Sequence, residues 1–357
     1  MTEFTTRLQN AIVLAAVVAS LAAADATHAN AASAETFYKG KTLRLIVPSG
    51  AGGGYDVYSR LLARHLADHI PGHPDIVVEN MPGASGILGT NWLYNIAPRD
   101  GTVLGSTFNT LLTEPLLGNV AAKYDPTQFE WVGSINTQYN ACTVWHTSSI
   151  RTIEDAMQRE VRVSTTGLTG NSAKTPLMLN MLLGTKFKVI AGYTTTGMRL
   201  AVEREEVEGI CGLSYDTFAA ANPAWLQDKK IRFILQTGSQ PSKALPDVPL
   251  LINYVKDPLQ RAALKVLEVD EEVGRPYMFP PGVPEYLVKA LREAFNATMQ
   301  DASFLTDAER MRIPPEPMTG EQIEPEIKKA YAAPKDVIAV AAKLWPPGLP
   351  KKKSQKE

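Results

Sequence analysis

The stretch from Leu43 to Leu66 constrains the fold of this chain more than any other. Its first five residues form a short apolar run, which predicts a buried strand. Pro48 ends that run, because proline lacks the N–H group that a strand ladder needs. A glycine-rich turn over residues 49–54 follows, and apolar residues then recur at helical spacing up to Leu66. The sequence therefore predicts a strand, a turn of bare backbone and a helix.

This turn is a candidate anion site. The first N–H groups of a helix have no partner within the helix, and that end carries partial positive charge. Glycines also leave the main chain open to a ligand. The turn predicts binding of a carboxylate or phosphate, with Ser49, Gly50, Ala51, Gly52, Tyr55 and Asp56 as candidate ligand residues. Asp56 itself would repel an anion unless it bonds a hydroxyl, an amine or a water molecule. The alternative is a tight connection that binds nothing, with Asp56 only complementing the helix dipole.

Three sharper motifs do not fit the sequence. A dinucleotide fingerprint needs a glycine where Tyr55 stands, and a Walker loop needs a lysine that the turn lacks. The esterase elbow G-x-S-x-G is absent from the turn, and residues 83–86, Gly-Ala-Ser-Gly, lack its final glycine. No local signature of a catalytic triad or zinc site appears either. We therefore expect no enzymatic activity, no cofactor and no metal.

The N-terminus has the pattern of a secretory signal peptide. Arg7 precedes an apolar run over residues 11–24, and the cleavage-like Ala32-Ser33-Ala34 follows. We expect cleavage near Ala34 and a periplasmic location, the alternative being an uncleaved N-terminal anchor. Without residues 1–34 the chain has 35 basic residues (36 minus Arg7) and 35 acidic ones (37 minus Glu3 and Asp25). This neutral balance gives no support for nucleic-acid binding.

Two cysteines, Cys142 and Cys211, are the only ones in the chain. Because an oxidising compartment favours disulfides, we expect these two residues to pair. Two separate buried thiols are the alternative.

Strands and helices alternate from Leu43 to Ser106, which implies a parallel sheet covered by helices. The helix after residue 86 is expected to have an apolar face of Ile87, Leu88, Trp92, Leu93 and Ile96. Ligands collect outside the carboxyl ends of such strands. Further candidates on that rim are Ala84, Ser85, Thr107 and Asn109.

A second turn of small residues lies between a strand over residues 161–164 and a following helix. Its candidate ligand residues are Thr166, Gly167, Asn171 and Ser172. Serine and asparagine at a helix start are also common caps, so capping is the alternative.

Several segments together resemble the solute receptors of tripartite tricarboxylate transporters, the Bug (Bordetella uptake gene) receptors. These segments are VPSGAGGGYDVYSR (47–60), VVENMPGASGILGTN (77–91), APRDGTVLG (97–105), DPTQFEWVGSI (125–135), GYTTTGMRLAVEREEVEGIC (192–211), LPDVPLL (245–251) and PPGVPEYLVKALREAF (280–295). The chain departs from the family pattern at Met81 and Ser85, where arginine and glycine are usual.

The resemblance implies an α/β fold of two-domain periplasmic-binding-protein architecture, type II-like, in which the two turns face each other across a cleft. Domain I would comprise 36–137 plus 257–345, domain II 138–256, and residues 346–357 a disordered basic tail. The function implied is capture of a small organic carboxylate and its delivery to integral membrane transporter subunits, by a receptor that we expect to be a monomer. The alternatives are a secreted hydrolase acting on carboxylates or esters at the same cleft, and a sensory binding protein.

The far end of the ligand is expected to meet side chains, since the resemblance implies that main-chain donors hold its near carboxylate. We place Tyr55, Asn109, Tyr193, Tyr215 and Asp216 there, with Thr195 in the neighbouring loop. The predicted rim loops contain no arginine or lysine, so a second carboxylate would lack a cationic partner. We therefore expect a monocarboxylate, or an amino or hydroxy acid, rather than a tricarboxylate.

Overall fold

A computed structural model describes residues 33–167, 170–238, 240–313 and 315–345. Nearly all of the predicted signal peptide, and the whole predicted basic tail, lie outside these ranges. In the described residues no helix is long and apolar enough to cross a membrane.

Eleven strands in the described residues form two mixed sheets. The six-stranded sheet has the order β11-β4-β10-β3-β1-β2, and the five-stranded sheet the order β7-β6-β8-β5-β9. The strands are β1 Thr42–Val47, β2 Asp75–Asn80, β3 Val103–Ser106, β4 Glu130–Ser134, β5 Asn140–Trp145, β6 Val161–Thr165, β7 Phe187–Ala191, β8 Gly209–Ser214, β9 Ile231–Gln236, β10 Pro276–Phe279 and β11 Met318–Thr319.

Helices cover the faces of both sheets. They are α1 (residues 33–38), α2 Gly54–His69, α3 Ile87–Asn95, α4 Ile153–Gln158, α5 Asn171–Leu183, α6 Thr195–Glu203, α7 Tyr215–Ala221, α8 Pro223–Gln227, α9 Pro258–Val273, α10 Glu285–Thr298, α11 Ala302–Arg310, α12 Gly320–Tyr331 and α13 Lys335–Leu344. The predicted order of strand, turn and helix at the start of the chain is confirmed, with β1 and α2 on either side of the glycine turn.

Strand direction brings the candidate loops to the rims of the two sheets. β1 pairs in parallel with β2 and β3, as the sequence predicts, and β6 pairs in parallel with β7 and β8. The loops after these strands therefore leave each sheet at one edge. β10 and β5 run antiparallel to their neighbours, so the segments before them reach the same edges. The domain limits of the sequence analysis stay a prediction.

The two sheets are joined through the end of α9. The N–H of Gln138, between β4 and β5, donates to the carbonyl of Glu271 at 2.8 Å. The Glu271 carboxylate accepts from Asn140 at 2.7 Å and from Thr237, just after β9, at 2.6 Å. Burial raises the pKa of this carboxyl to about 7, although both hydrogen bonds act in the opposite direction. The Glu271 side chain thus connects the two places where the chain passes from one sheet to the other, before β5 and after β9.

A buried ion pair adds a second connection between the sheets. Lys174 in α5 lies 3.0 Å from Glu114, which belongs to the segment after β3, and both side chains are almost fully buried. Such a pair is costly to break one partner at a time, because the remaining charge stays buried.

The expected apolar face of α3 is wrong in two positions. Leu93 is buried as predicted, but Leu88 is 55% exposed and Ile96 is 68% exposed. The helix begins only at Ile87 after a left-handed turn, and Ile96 lies beyond its end. The left-handed turn at Gly86 sets the direction in which α3 leaves it, and this direction decides which side of the helix faces the core.

The Sγ atoms of Cys142 and Cys211 are 2.00 Å apart and form a disulfide between paired residues of β5 and β8. We predict that unfolded, unreduced periplasmic protein shows no free thiol on labelling. The Cys142→Ser/Cys211→Ser double variant should lose about 4 kcal/mol of unfolding free energy, because the bridge closes a long loop in the unfolded chain. Detection of two free thiols in the unreduced protein would contradict the bridge.

Candidate functional site

Asp56 organises the glycine turn between β1 and α2. Its side chain is 2% exposed and accepts hydrogen bonds from the N–H of Gly52 at 2.8 Å and from Asn80 at 2.8 Å. Arg60, one helical turn later, forms an ion pair with it at 2.9 Å. Asn80 also donates to the carbonyl of Ser49 at 2.9 Å. One carboxylate therefore connects the turn, helix α2 and the end of β2.

The charge of Asp56 is compensated inside the protein. Burial alone would raise its pKa, but hydrogen bonds from Arg60, Gly52 and Asn80 lower the pKa from 3.8 to about 2. The carboxylate is thus ionised and fully occupied, which answers the objection that it would repel an anionic ligand. The exposed backbone of Gly50 and Ala51 and the orphan N–H groups at the start of α2 remain available.

Ala84 and Ser85 form an exposed turn before α3. Both have left-handed backbone angles, with φ of 46° and 53°. Such angles cost side-chain-bearing residues free energy and occur at functional sites when the surroundings impose them. The turn follows β2, whose Asn80 holds the first turn, so the two loops are neighbours on one rim.

Tyr55 and Thr107 are occupied within the protein rather than open to a ligand. The Tyr55 hydroxyl accepts from the N–H of Asn109 at 2.9 Å and donates to the carbonyl of Gly274 at 3.1 Å. Thr107 shares a 2.7 Å hydrogen bond with Thr90. Of the predicted residues after β3, Asn109 keeps an unpartnered side-chain nitrogen.

The second turn leads from β6 to the start of α5. Thr166 is exposed and Gly167 is partly buried, whereas Ser172 is buried and shares a 2.6 Å hydrogen bond with Thr165. Among the described residues the side-chain oxygen of Asn171 has no hydrogen-bond partner, and the cap position of α5 is Gly170 rather than Asn171.

A small chamber between the two sheets brings Asn109 and Asn171 together. Asn140 and Asp270 line it as well. Each of these four side chains has a buried polar atom that finds no hydrogen-bond partner within the described ranges. Burial raises the pKa of Asp270, and a hydrogen bond from Thr113 opposes this shift. The chamber volume of about 30 Å³ is enough for a water molecule but too small for an organic acid.

A larger pocket lies beside the crossing from β4 to β5. It measures about 370 Å³, and among its lining residues are Asn136, Tyr139, Ser214, Tyr215 and Asp216. This volume suits a small organic acid. The structure therefore brings Tyr215 and Asp216 together at one pocket.

Tyr193 is not among the described residues that line that pocket. Tyr193 packs, partly buried, against an apolar cluster that includes Met198 and Phe218. Its N–H donates to the carbonyl of Thr165, so its loop is tied to the second turn. Thr195 begins α6.

Arg275, which the sequence reasoning missed, is a cation at the same rim. It directly precedes β10, is 7% exposed, and donates to the side chain of Asn136 at 3.0 Å. The premise that this rim lacks a cationic partner is therefore wrong. The antiparallel direction of β10 brings the start of this strand to the edge where β1 and β3 end, and sequence spacing alone does not reveal that direction.

Two histidines of α2, His65 and His69, form structural contacts with the neighbouring helix α11 and its start. His65 lies 3.2 Å from Asp307, and His69 lies 3.2 Å from Asp301, so both link α2 to the α11 segment. Over the ranges that the structure describes, no cluster of histidine, cysteine and acidic residues is placed to hold a metal ion.

Sequence comparisons find distant relatives of this chain. No protein-family model matches it. The "UPF0065 protein in gbd 5'region" of Cupriavidus necator is 23% identical over 288 residues, which are 79% of this chain and 82% of that protein. Protein BugT of Bordetella pertussis is 41% identical over 75 residues, which are 21% of this chain and 22% of BugT.

Solved structures share the fold over most of the chain. A TctC solute binding protein from Polaromonas has a TM-score of 0.67 at 22% identity and covers 86% of this chain and 99% of its own. The periplasmic binding protein BugD has a TM-score of 0.62 at 20% identity and covers 86% of this chain and 98% of its own. The predicted resemblance to the Bug and TctC family of solute-binding receptors is confirmed, as is the two-domain periplasmic-binding-protein fold.

Two further neighbours were solved with acids. A Rhodopseudomonas palustris protein with adipate has a TM-score of 0.60 at 18% identity, covering 85% of this chain and 97% of its own. MatC from the same organism, with bound malate, has a TM-score of 0.58 at 19% identity and covers 84% of this chain and 99% of its own.

We predict that Asp56→Asn lowers the free energy of unfolding at pH 7 by about 2 kcal/mol, from the depressed pKa of the carboxyl. Because the folded-state pKa is the lower one, this contribution is present above the unfolded value near 3.8 and is lost as pH falls towards 2. Denaturant unfolding of the wild type and the variant at pH 7 and at pH 2 measures this loss of unfolding free energy. Asp228→Asn, at an exposed position, is the control and should change stability by less than about 0.5 kcal/mol. An Asp56→Asn loss of equal size at pH 7 and pH 2 would contradict the account.

Proposed function

We propose that this protein is a periplasmic solute-binding receptor that captures a small carboxylate between its two domains. The observation that carries the proposal is the position of the Asp56-held turn. It stands at the carboxyl end of β1, beside the start of α2, in a fold whose second sheet presents an equivalent turn before α5. Main-chain donors at a helix start suit an anion.

The comparisons support this ligand class. Neighbours of the same fold were solved with adipate and with malate, which are both small carboxylates. The pocket of about 370 Å³ has room for an acid of this size. We further propose that the loaded receptor acts as a monomer and delivers its ligand to the integral membrane subunits of a tripartite tricarboxylate-type transporter. Closure of the two domains would distinguish the loaded form from the empty one.

Binding without turnover is the activity that we propose. The solved neighbours from Polaromonas and BugD are named as a solute binding protein and a periplasmic binding protein, and the comparisons give no support for the hydrolase alternative. The export signal of the sequence supports the periplasmic location.

A thermal-shift screen of organic acids tests the proposed function. We expect at least one monocarboxylate, hydroxy acid or amino acid to raise the melting temperature, and no ester in a matched panel to be hydrolysed. Stabilisation by tricarboxylates alone would contradict the ligand class, ester turnover would favour the hydrolase, and no response to any acid would contradict the receptor.

Gly50→Val tests the turn itself. A Cβ on Gly50 meets no atom within 4 Å, and its backbone is not left-handed, so the variant should fold normally. Gly52 is unsuitable because its φ of 77° would strain valine. We expect at least a tenfold loss of affinity for the best acid of the screen, with a smaller loss in Gly50→Ala, measured by calorimetry. Unchanged affinity in Gly50→Val would remove the turn from the site.

A further inference from the structure

Arg275 has fewer partners than a buried arginine requires. A guanidinium carries five N–H donors. Nη1 donates to Asn136, whereas Nε is buried and has no hydrogen-bond partner among the residues that the structure describes. The guanidinium carbon lies 4.0 Å from the ring centroid of Tyr58 and 5.4 Å from that of Tyr55. The rings of Tyr58 and Tyr55 stabilise the positive charge by cation–π contacts, which do not use the N–H donors in the plane of the guanidinium.

No carboxylate within the described ranges forms an ion pair with Arg275, although buried charges are normally paired. Its Nη2 lies 3.9 Å from the position that a Cβ on Gly54 would take, so the guanidinium stands beside the first turn of α2. That helix end is itself positive. The one carboxylate in that first turn, Asp56, is already bonded to Arg60, Gly52 and Asn80. The guanidinium and the helix start therefore define a place for an anion.

Asp216 stands near this place on the other domain. It lines the larger pocket together with Asn136, the hydrogen-bond partner of Arg275. Burial raises the pKa of Asp216, while the charge of Arg275 opposes that shift and Glu316 reinforces it. Within the described ranges Asp216 forms no ion pair with Arg275, and it lines a pocket that Arg275 borders through Asn136. That pocket has room for a ligand group.

We propose that Arg275 binds the ligand carboxylate together with the start of α2, and that Asp216 accepts a hydrogen bond from a hydroxyl or amino group on the adjacent carbon. This inference rests on the proposed function and specifies its ligand as an α-hydroxy or α-amino acid. The guanidinium supplies the charge-assisted bonds that favour a carboxylate. Asp216 adds selectivity, because a buried acceptor left unpaired disfavours an acid that lacks the donor.

Calorimetric titration with matched acids tests this assignment. The pairs are lactate with propionate, malate with succinate, and mandelate with phenylacetate, which differ only in the α-hydroxyl. In any pair that binds, we expect the hydroxy acid to bind at least about tenfold more tightly. Asp216→Ala should abolish that preference by weakening only the hydroxy acid. Arg275→Gln should weaken both members at least about tenfold, and Arg275→Lys should lie between.

Controls separate binding from folding. Arg162→Gln removes an exposed arginine from β6 and should leave all affinities unchanged. The melting temperature of each variant reports folding, and Asp216→Ala keeps the test decisive if Arg275→Gln is unstable. Binding of acids with no hydroxyl preference, or equal affinities in wild type and Arg275→Lys, would overturn this inference while leaving the receptor proposal intact. Binding of no acid at all would overturn the receptor proposal as well.

Discussion

The buried carboxylate of Glu271 is the interaction on which the two-domain arrangement depends. It bonds Asn140 on the first crossing and Thr237 on the second, while its own backbone carbonyl accepts from Gln138. A single side chain at the end of α9 therefore fixes where both crossings leave the two sheets. The buried Lys174–Glu114 ion pair is a second connection between the sheets, so a motion of one domain relative to the other has to preserve or break both.

The residues of the proposed anion site lie directly beside this joint. Gly274 comes three residues after Glu271, and a Cβ there would lie 1.9 Å from the carbonyl of Asn136, so only glycine allows the two segments to approach. Arg275 is next in the chain and reaches the start of α2, while Tyr55 bonds the Gly274 carbonyl. The structural joint and the proposed anion site thus share one short segment, residues 271–275. This continuity gives a physical route by which ligand binding and domain position can influence each other.

Much of this architecture is readable in the sequence, and the reason is local. The run before Pro48, the glycines after it and the helical spacing up to Leu66 together predict β1, the turn and α2, because each signal depends on near neighbours. The resemblance then supplied the two-domain architecture. The interior roles of Tyr55 and Thr107 were not predictable, since their partners Gly274 and Thr90 lie elsewhere in the chain. Arg275 was missed for the same reason: its place at the rim depends on the antiparallel direction of β10.

The most direct test of the central claim is the structure of the protein with its tightest-binding acid. The account predicts the acid between the two domains, with a carboxylate oxygen within about 3.5 Å of a main-chain N–H of the glycine turn or of the start of α2. It predicts contacts to that acid from the Ser214–Asp216 side as well. An acid bound to one domain alone, or away from the glycine turn, would contradict the account.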